Sequence, residues 1–217
     1  EESVRTLVDD GALTGSAGAY RLTGSVPPFT TPPTVRAVLA ARIDRLPAAR
    51  RRLLQCASVI GRLVPLALLA RVAELPEAAV GEEVAQLRSA QFFEDTRNPA
   101  RADGVFRHAL TQEVAYESLH DLERVRLHAR VVEALEEMDA AGAIEHAELL
   151  AEHAIRGEVW DRAVDHLRMA GAKAYDRGAL DEAIARYERA LEIVSRLPAS
   201  PDTARRSIDV RLDLHAP

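Results

Sequence analysis

Two histidines in the stretch 145–153 are the first residues whose types suggest chemistry, because imidazole nitrogens are common metal ligands. His146 and His153 are seven positions apart, which on a helix places them on one face but about 10 Å apart along the axis. One zinc ion binds each nitrogen at about 2 Å and cannot reach both, and the His-Glu-x-x-His arrangement of metalloproteases is absent. The spacing therefore predicts no metal site and favours hydrogen bonds between helices.

The candidate nucleophiles lack the partners that catalysis needs. Ser58 lies in an apolar segment without a Gly-x-Ser-x-Gly turn, and Cys56 beside it has the pattern of a small core residue. The glycine cluster at 15–18 does not continue into the Gly-Lys-Ser/Thr that binds phosphate and magnesium, so we predict a turn there. The sequence predicts no catalytic residue and no cofactor bound by this chain itself.

The composition is that of a globular helical protein. Of 217 residues, 47% are hydrophobic, 29% are charged and only 4% are aromatic. One cysteine excludes an internal disulfide, no run approaches the roughly 18 apolar residues of a membrane span, and no signal peptide opens the chain. A formal net charge of −6 disfavours a broad nucleic-acid surface. We expect a cytoplasmic protein with no membrane contact, cut at both ends through continuing helical structure.

Glycines and prolines mark the elements of the first sixty residues. A helix over 1–10, a hairpin of 12–14 with 19–22 and a stiff proline-rich linker are predicted to form a first segment, 1–33. Thr34 is the predicted N-cap of a helix whose apolar stripe ends at Leu46. Pro47 is the predicted first residue of the next helix, which stops at Gly61.

The middle of the chain has the element order of a winged helix-turn-helix domain. Helices are predicted at about 65–73 and 77–90, and the segments 91–95 and 104–108 are predicted strands around a polar loop. Three helices followed by a two-stranded ribbon is the order of that domain. We assign residues 34–120 to it.

From Ala109 onward the pattern is helical. Helices are predicted at about 109–119, 121–138, 144–156, 159–177 and 180–196. In two places a glycine ends a helix, a large apolar residue seals the turn and an alanine lets the next helix pack closely: Gly157, Trp160 and Ala163, then Gly178, Leu180 and Ala183. This pattern is typical of tetratricopeptide hairpins, although its offset of 20 residues is shorter than their usual 34.

The whole-chain prediction is an all-α fold with a small β wing. A winged helix-turn-helix domain is followed by a tetratricopeptide-like helical array over 121–217. Arrays of this kind present extended surfaces to protein partners rather than active sites.

Six stretches together carry a resemblance to one family. They are TVRAVLAARIDRLP (34–47), LQCASVIG (54–61), FRHALTQEVAY (106–116), LHA (127–129), RGEVWDRA (156–163) and IDVRLDL (208–214). In this order they resemble the region after the nucleotide-binding core of bacterial STAND-type ATPases. The similarity is strongest to those fused behind class III adenylate/guanylate cyclase domains, and it covers nearly the whole chain.

The resemblance implies a non-catalytic segment for sensing and transmission. In the family, a P-loop ATPase core that binds ATP or ADP with magnesium precedes winged-helix and tetratricopeptide parts, and nucleotide exchange switches closed and open forms. This chain has neither a Gly-x-x-x-x-Gly-Lys-Ser/Thr motif nor a recognisable cyclase aspartate pair. The implied partners are the nucleotide-binding domain of the same polypeptide and a protein that binds the helical array.

The resemblance singles out His108 and Arg107 as nucleotide-sensing residues. In STAND ATPases a winged-helix histidine in a similar context contacts the β-phosphate of ADP, since an imidazole N–H donates a directed hydrogen bond. The aspartate that usually follows this histidine is Ala109 here. The alternative is a structural histidine that caps the next helix or packs against Tyr116, and the sequence leaves both open.

Two other functions fit parts of the sequence. A winged helix often binds DNA, but the predicted recognition helix carries Glu77, Glu82 and Glu83 against Arg88, where a groove-binding helix needs basic or amide side chains. DNA binding is therefore disfavoured. A protein-interaction scaffold without nucleotide contact is the other alternative. An exposed apolar groove within 144–196 would favour the scaffold, whereas a basic pocket around His108 would favour the nucleotide switch.

Overall fold

The computed structural model describes residues 13–14, 21–22, 33–94, 104–138 and 144–215. Within these ranges the protein is mostly helical, with ten helices and four two-residue strands. A mainly α fold with a small β component is therefore confirmed. The contacts divide the chain after Pro47 into two units, which are described separately. The helix predicted over 1–10 and the predicted proline-rich linker up to residue 32 lie outside the described residues.

The unit up to Pro47 contains a short hairpin and one helix. β1 (Leu13–Thr14) pairs antiparallel with β2 (Arg21–Leu22), so the predicted hairpin is confirmed. α1 (Pro33–Asp44) follows. Thr34 is thus inside the helix, and its prediction as the N-cap is wrong. Pro33 suits the first turn because its ring fixes φ near the helical value and it has no N–H to satisfy.

The second unit begins with three helices interrupted by a short strand. They are α2 (Ala48–Ile60), β3 (Leu63–Val64), α3 (Leu66–Ala73) and α4 (Glu77–Ser89). α2 begins one residue later than predicted, directly after Pro47. It is the central helix of this part and packs against both α3 and α4. Its last residues, from Cys56 to Ile60, are all buried because two later helices, Ala109–Glu117 and Asp121–Met138, also pack against this helix and neighbours surround its end.

The small sheet differs from the predicted two-stranded ribbon. β4 (Gly104–Val105) pairs antiparallel with β3, whereas Phe93 of the predicted strand 91–95 makes only an isolated bridge to Phe106. The sequence prediction missed β3, because a two-residue strand before Pro65 shows no alternating pattern. Burial explains the pairing, since Val64, Phe93 and Phe106 are fully buried. The two phenyl rings meet edge to face with centroids 4.9 Å apart.

Six helices complete the second unit. They are α5 (Ala109–Glu117), α6 (Asp121–Met138), α7 (Ala147–Arg156), α8 (Trp160–Asp176), α9 (Leu180–Arg196) and α10 (Pro201–Leu214). The first five correspond to the five predicted helices with small differences at their ends. α10 corresponds to the periodic pattern at the end of the sequence, and Ser200 and Thr203 form a capping box at its start.

α6 joins the two sides of this unit. It packs against α2 and α3 on one side and against α7 on the other. Beyond it, α7, α8, α9 and α10 each pack on the next helix around an apolar core that includes Leu150, Leu167 and Tyr187. The boundary predicted between 120 and 121 falls at the start of α6 and stays a prediction. No described helix is long and apolar enough to cross a membrane.

Candidate functional site

The structure places His108 at the N-terminus of α5. It is the N-cap residue, with extended backbone angles (φ −136°, ψ 137°), and its side chain is exposed and forms no capping hydrogen bond. The Arg107 N–H donates to the Phe92 carbonyl at 3.0 Å and ties this turn to the small sheet. The side-chain capping alternative is therefore excluded, and the exposed imidazole is accessible from solvent.

Tyr116 packs instead against a different histidine, in a hydrogen-bond chain that crosses three helices. The hydroxyl of Tyr116 on α5 lies 3.0 Å from Nε2 of His128 on α6. Nδ1 of His128 lies 2.8 Å from Nδ1 of His153 on α7. His128 is 2% exposed and His153 is 5% exposed. We call these three residues the relay; it links α5, α6 and α7 through side chains alone.

The electrostatics of the relay favour neutral imidazoles. Burial lowers the pKa of His128 far below its usual range, and the neighbouring His153, Arg156 and Arg124 lower it further. Burial also lowers the pKa of His153, with Glu152 and Arg156 acting in opposite directions. Two facing Nδ1 atoms require one to donate and the other to accept, so the two rings have opposite tautomers at this contact.

The relay lines a cavity of about 320 Å³ between α2, α5, α6 and α7. Its apolar lining residues include Val59, Ile60 and Leu149. Polar atoms in the lining come from Gln112, Glu113, Glu152 and Arg156. The cavity includes Ala109 but neither Arg107 nor His108. Arg107 and His108 directly precede α5, and Tyr116 of the relay lies on that helix. Of these two groups, only the relay lines this cavity.

A second depression lies between α7 and α9. It has a volume of about 550 Å³ and is lined by apolar residues that include Leu149 and Ile155, together with Arg156, Arg186 and Arg189. Arg156 bonds Glu152 at 2.5 Å within α7. The scaffold hypothesis required an exposed apolar groove within 144–196, whereas this depression also has Glu148, Glu152 and three arginines in its lining; the hypothesis stays a prediction.

The repeat-packing residues divide into buried and exposed ones. Ala163 and Ala183 are 0% and 2% exposed, as the close-packing prediction required. Trp160 and Leu180 are the first residues of α8 and α9 and remain 38% and 54% exposed. The prediction that these two side chains seal the turns is therefore wrong, because the first position of each helix points them towards solvent.

The turns before α8 and α9 have nearly the same backbone conformation, but their glycines occupy different positions in the turn. Val159 (φ −90°, ψ 69°) and Ala179 (φ −86°, ψ 67°) cap α8 and α9 in nearly the same conformation. The left-handed position before them is Glu158 in the first turn (φ 55°) and Gly178 in the second (φ 78°). Gly157 is thus one position earlier than the counterpart of Gly178, in agreement with the sequence, where Gly157 is six residues before Ala163 and Gly178 is five before Ala183.

Gly157 is required for a different reason, namely the approach of α6. A Cβ atom there would lie 2.6 Å from the backbone nitrogen of Ala129. Because backbone atoms cannot move aside as a flexible side chain can, only glycine fits where the end of α7 meets α6.

The remaining candidate residues of the sequence are placed as follows. His153 forms the predicted hydrogen bond between helices, but His146 is exposed at the start of α7. The Ser58 hydroxyl donates to the Gln55 carbonyl at 2.7 Å. Burial raises the pKa of the Cys56 thiol to about 11, so it stays protonated. Among the described residues, no three His, Cys, Asp or Glu side chains are grouped to hold a metal ion.

Sequence reasoning missed His128 as a partner, because the relay joins residues on three helices. The available signal was periodicity: His128 occupies the apolar stripe of α6 that contains Leu127, Val131 and Val132. A polar residue on a buried stripe needs a hydrogen-bond partner. The sequence thus indicates that His128 requires a hydrogen-bond partner, but it does not identify Tyr116 and His153 as the partners.

Comparison with known proteins gives one relative and no function. No family model and no solved structure matches the chain. A protein of Rhizobium meliloti (strain 1021), described only as uncharacterised, is 32% identical over 168 residues. The match covers 77% of this chain and 16% of the relative. The chain therefore spans a small part of that longer protein.

Proposed function

We propose that this chain is a non-catalytic regulatory segment of a STAND-type ATPase. In this proposal a winged helix-turn-helix part and a tetratricopeptide-like array transmit the nucleotide state of an attached core to a protein partner. The order helix, strand, helix, helix, strand, with the first strand beside the last, supports the winged-helix assignment. The residues that carry the resemblance supply the link to STAND ATPases.

The packing of α8 on α9 supports the tetratricopeptide-like assignment. A Cβ atom on Gly171 would lie 2.5 Å from Cε1 of Tyr187. The small residue therefore lets the tyrosine ring of the next helix lie against the backbone of α8. Together with Ala163 and Ala183, this gives the alternation of small and large residues that such hairpins use for close packing.

The single observation that carries the proposal is the double contact of α6. On the side of α2 and α3, ion pairs join Arg52 to Glu123 and Arg71 to Glu137, both at 2.8 Å. On the side of α8, Glu136 accepts from His166 at 2.8 Å. Because α6 also packs against α2 and α3 on one side and α7 on the other, it provides a continuous physical path between the two parts, which transmission requires.

The position of His108 supports the proposed phosphate contact. It is exposed at the N-terminus of α5, where backbone N–H groups and the helix dipole favour an anion, and Arg107 lies beside it. In the proposal the phosphate belongs to ADP bound with magnesium in the attached core.

The test is calorimetric titration of ADP and ATP into a polypeptide that joins this segment to its nucleotide-binding core. His108→Ala should lower the affinity for ADP by about tenfold or more, because a hydrogen bond to a charged group contributes about 1.5–3 kcal/mol. His120→Ala is the matched control, an exposed histidine at the other end of α5. Equal ADP affinity in the wild type and His108→Ala would remove the nucleotide role.

A protein-interaction scaffold is the second candidate, favoured by the groove between α7 and α9. It predicts partner binding that is independent of nucleotide. DNA binding is not proposed, because α4 exposes Glu77 and Glu82 and its Glu83 accepts from Arg50 at 2.7 Å.

A further inference from the structure

α10 packs one face on α8 and α9 and has a second face that the described residues leave exposed. Only Val210 is fully buried, and charged side chains hold the helix to α8. Arg168 of α8 donates to Asp213 at 2.7 Å, and Arg206 bonds Asp165. The inward face of α10 therefore combines these ion pairs with Val210 and the partly buried Leu214, which pack against the apolar core. Ile208 and Leu212 lie on the opposite face.

Those apolar residues form a stripe on the outer face. Ile208 is 58% exposed and Leu212 is 65% exposed. They are four positions apart, so their side chains are neighbours on the helix surface. Single exposed apolar residues are ordinary. Here two exposed apolar side chains are neighbours, and ion pairs hold the opposite side of the helix to the protein. A helix of this kind can pack against a second helix through its exposed face.

The charges beside the stripe are of one sign. Arg205 and Arg211 lie three positions before and after Ile208, one on each flank, and both are exposed. Neither forms an ion pair with any residue that the structure describes. Asp209 and Asp213, the acidic residues of the middle and last turn, are both within reach of Arg168. The outer face is therefore basic in a chain whose net charge is −6.

We propose that the outer face of α10 binds an acidic amphipathic helix of a partner protein. The apolar stripe of that helix covers Ile208 and Leu212, and carboxylates on its flanks pair with Arg205 and Arg211. This inference names the partner chemistry of the proposed function and rests on it only for its biological meaning. A lipid surface fits less well, because two apolar residues and two arginines give too little buried area for stable membrane binding.

The experiment uses the full chain and a designed peptide. The peptide carries leucines at i, i+4 and i+7 with glutamates on both flanks, and a second peptide has lysine in place of every glutamate. Fluorescence anisotropy should show that the glutamate peptide binds and the lysine peptide does not. Raising the salt concentration should weaken binding, because the flanking charge pairs are exposed.

Two double variants and one control localise the contact. Arg205→Glu/Arg211→Glu should lower the affinity for the glutamate peptide by about tenfold or more. The same variant should bind the lysine peptide, because the charge of both flanking residues is reversed. Ile208→Asp/Leu212→Asp should abolish binding of both peptides. Leu122→Asp/Arg126→Glu changes an exposed leucine and arginine of α6 in the same way and should have no effect. Circular dichroism checks that each variant is folded.

Four outcomes would overturn the proposal. Equal binding of the two peptides, or wild-type affinity in the α10 variants, would show that this face is not the site. Sedimentation that shows a dimer disrupted by Leu212→Asp would assign the face to a second copy of the chain. Binding of phosphatidylserine vesicles but neither peptide would assign it to a membrane. In a polypeptide that joins this segment to its nucleotide-binding core, peptide binding that ADP and ATP leave unchanged would keep this surface and refute the nucleotide coupling.

Discussion

The relay of Tyr116, His128 and His153 combines burial with titratable groups. Both histidines have a lowered pKa in the folded chain, whereas in the unfolded chain they return to about 6.5. The unfolded state therefore takes up protons first as the pH falls. The relay stabilises the fold fully above about pH 6.5, and this contribution is lost as the pH falls towards the lowered values.

We expect the free energy of unfolding to fall between pH 7.5 and pH 5.5, by up to about 1.4 kcal/mol per pH unit for each buried histidine below pH 6.5. The double variant His128→Leu/His153→Leu should lose this part of the pH dependence. Urea unfolding at several pH values measures it. His146→Leu is the control, since His146 is exposed. An unchanged slope in the double variant would contradict the assignment.

Three glycines test how local geometry decides the effect of one methyl group. Gly157→Ala should destabilise by about 1–3 kcal/mol, since its Cβ meets backbone of α6. Gly178→Ala should cost about 1–2 kcal/mol from its left-handed backbone, although the space around it is open. Gly81→Ala inside α4 should stabilise by about 0.5–1 kcal/mol, because its Cβ meets only Leu66 at 3.8 Å. Thermal unfolding measures all three, and the same sign throughout would refute this account.

At the scale of elements, α6 has two neighbouring glutamates in different surroundings. Glu136 accepts from His166 on α8 at 2.8 Å, and the His166 side chain is 7% exposed. Glu137 accepts from Arg71 on α3, and both of these side chains are about half exposed or more. The first contact is shielded from water and the second is screened by it.

Glu136→Ala should therefore destabilise by about 1–3 kcal/mol, because it leaves the buried Nε2–H of His166 without its acceptor. Glu137→Ala should change stability by no more than about 0.5–1 kcal/mol. Urea unfolding of the two single variants gives the comparison. Equal effects would mean that the α6–α8 contact stabilises the fold no more than the exposed Glu137–Arg71 pair does. That result would weaken the case for α6 as the transmitting helix.

At the scale of the whole molecule, the unit from Ala48 onward is one compact body. Within the described residues, α2 packs directly on α6, the first helix of the array, and α6 packs on α7, from which the other array helices follow. If α6 couples them as proposed, damage to α2 must be felt in the array. Trp160, the single tryptophan of the chain, reports on the array at the start of α8.

Leu54→Ala should lower stability by about 2–5 kcal/mol, because Leu54 is fully buried in α2. The midpoint measured by Trp160 fluorescence should shift by the same amount as the midpoint measured by far-ultraviolet circular dichroism. Tyr187→Phe, a mild change within the array, checks that the fluorescence signal follows the array. A Trp160 midpoint that stays in place would show that the array unfolds independently of α2.

The helices and the β1–β2 hairpin were predictable, because apolar periodicity, prolines and glycines act over a few residues. α5 to α9 appear where the apolar spacing placed them, and the hairpin pairs Leu13 with Leu22. The need for a partner at His153 was also visible, since a histidine on a helix interior must satisfy its nitrogens.

The sequence by itself determined that this protein is mainly helical, carries closely packed hairpins near Ala163 and Ala183, and contains no recognisable catalytic motif. Only the tertiary structure decided that β3 pairs with β4, that His128 is the partner of His153, and that Ile208 and Leu212 face outward. These depend on which surfaces meet across long stretches of chain. Local periodicity gives a helix its apolar side but does not specify the neighbour that covers it, because many neighbours would bury the same area.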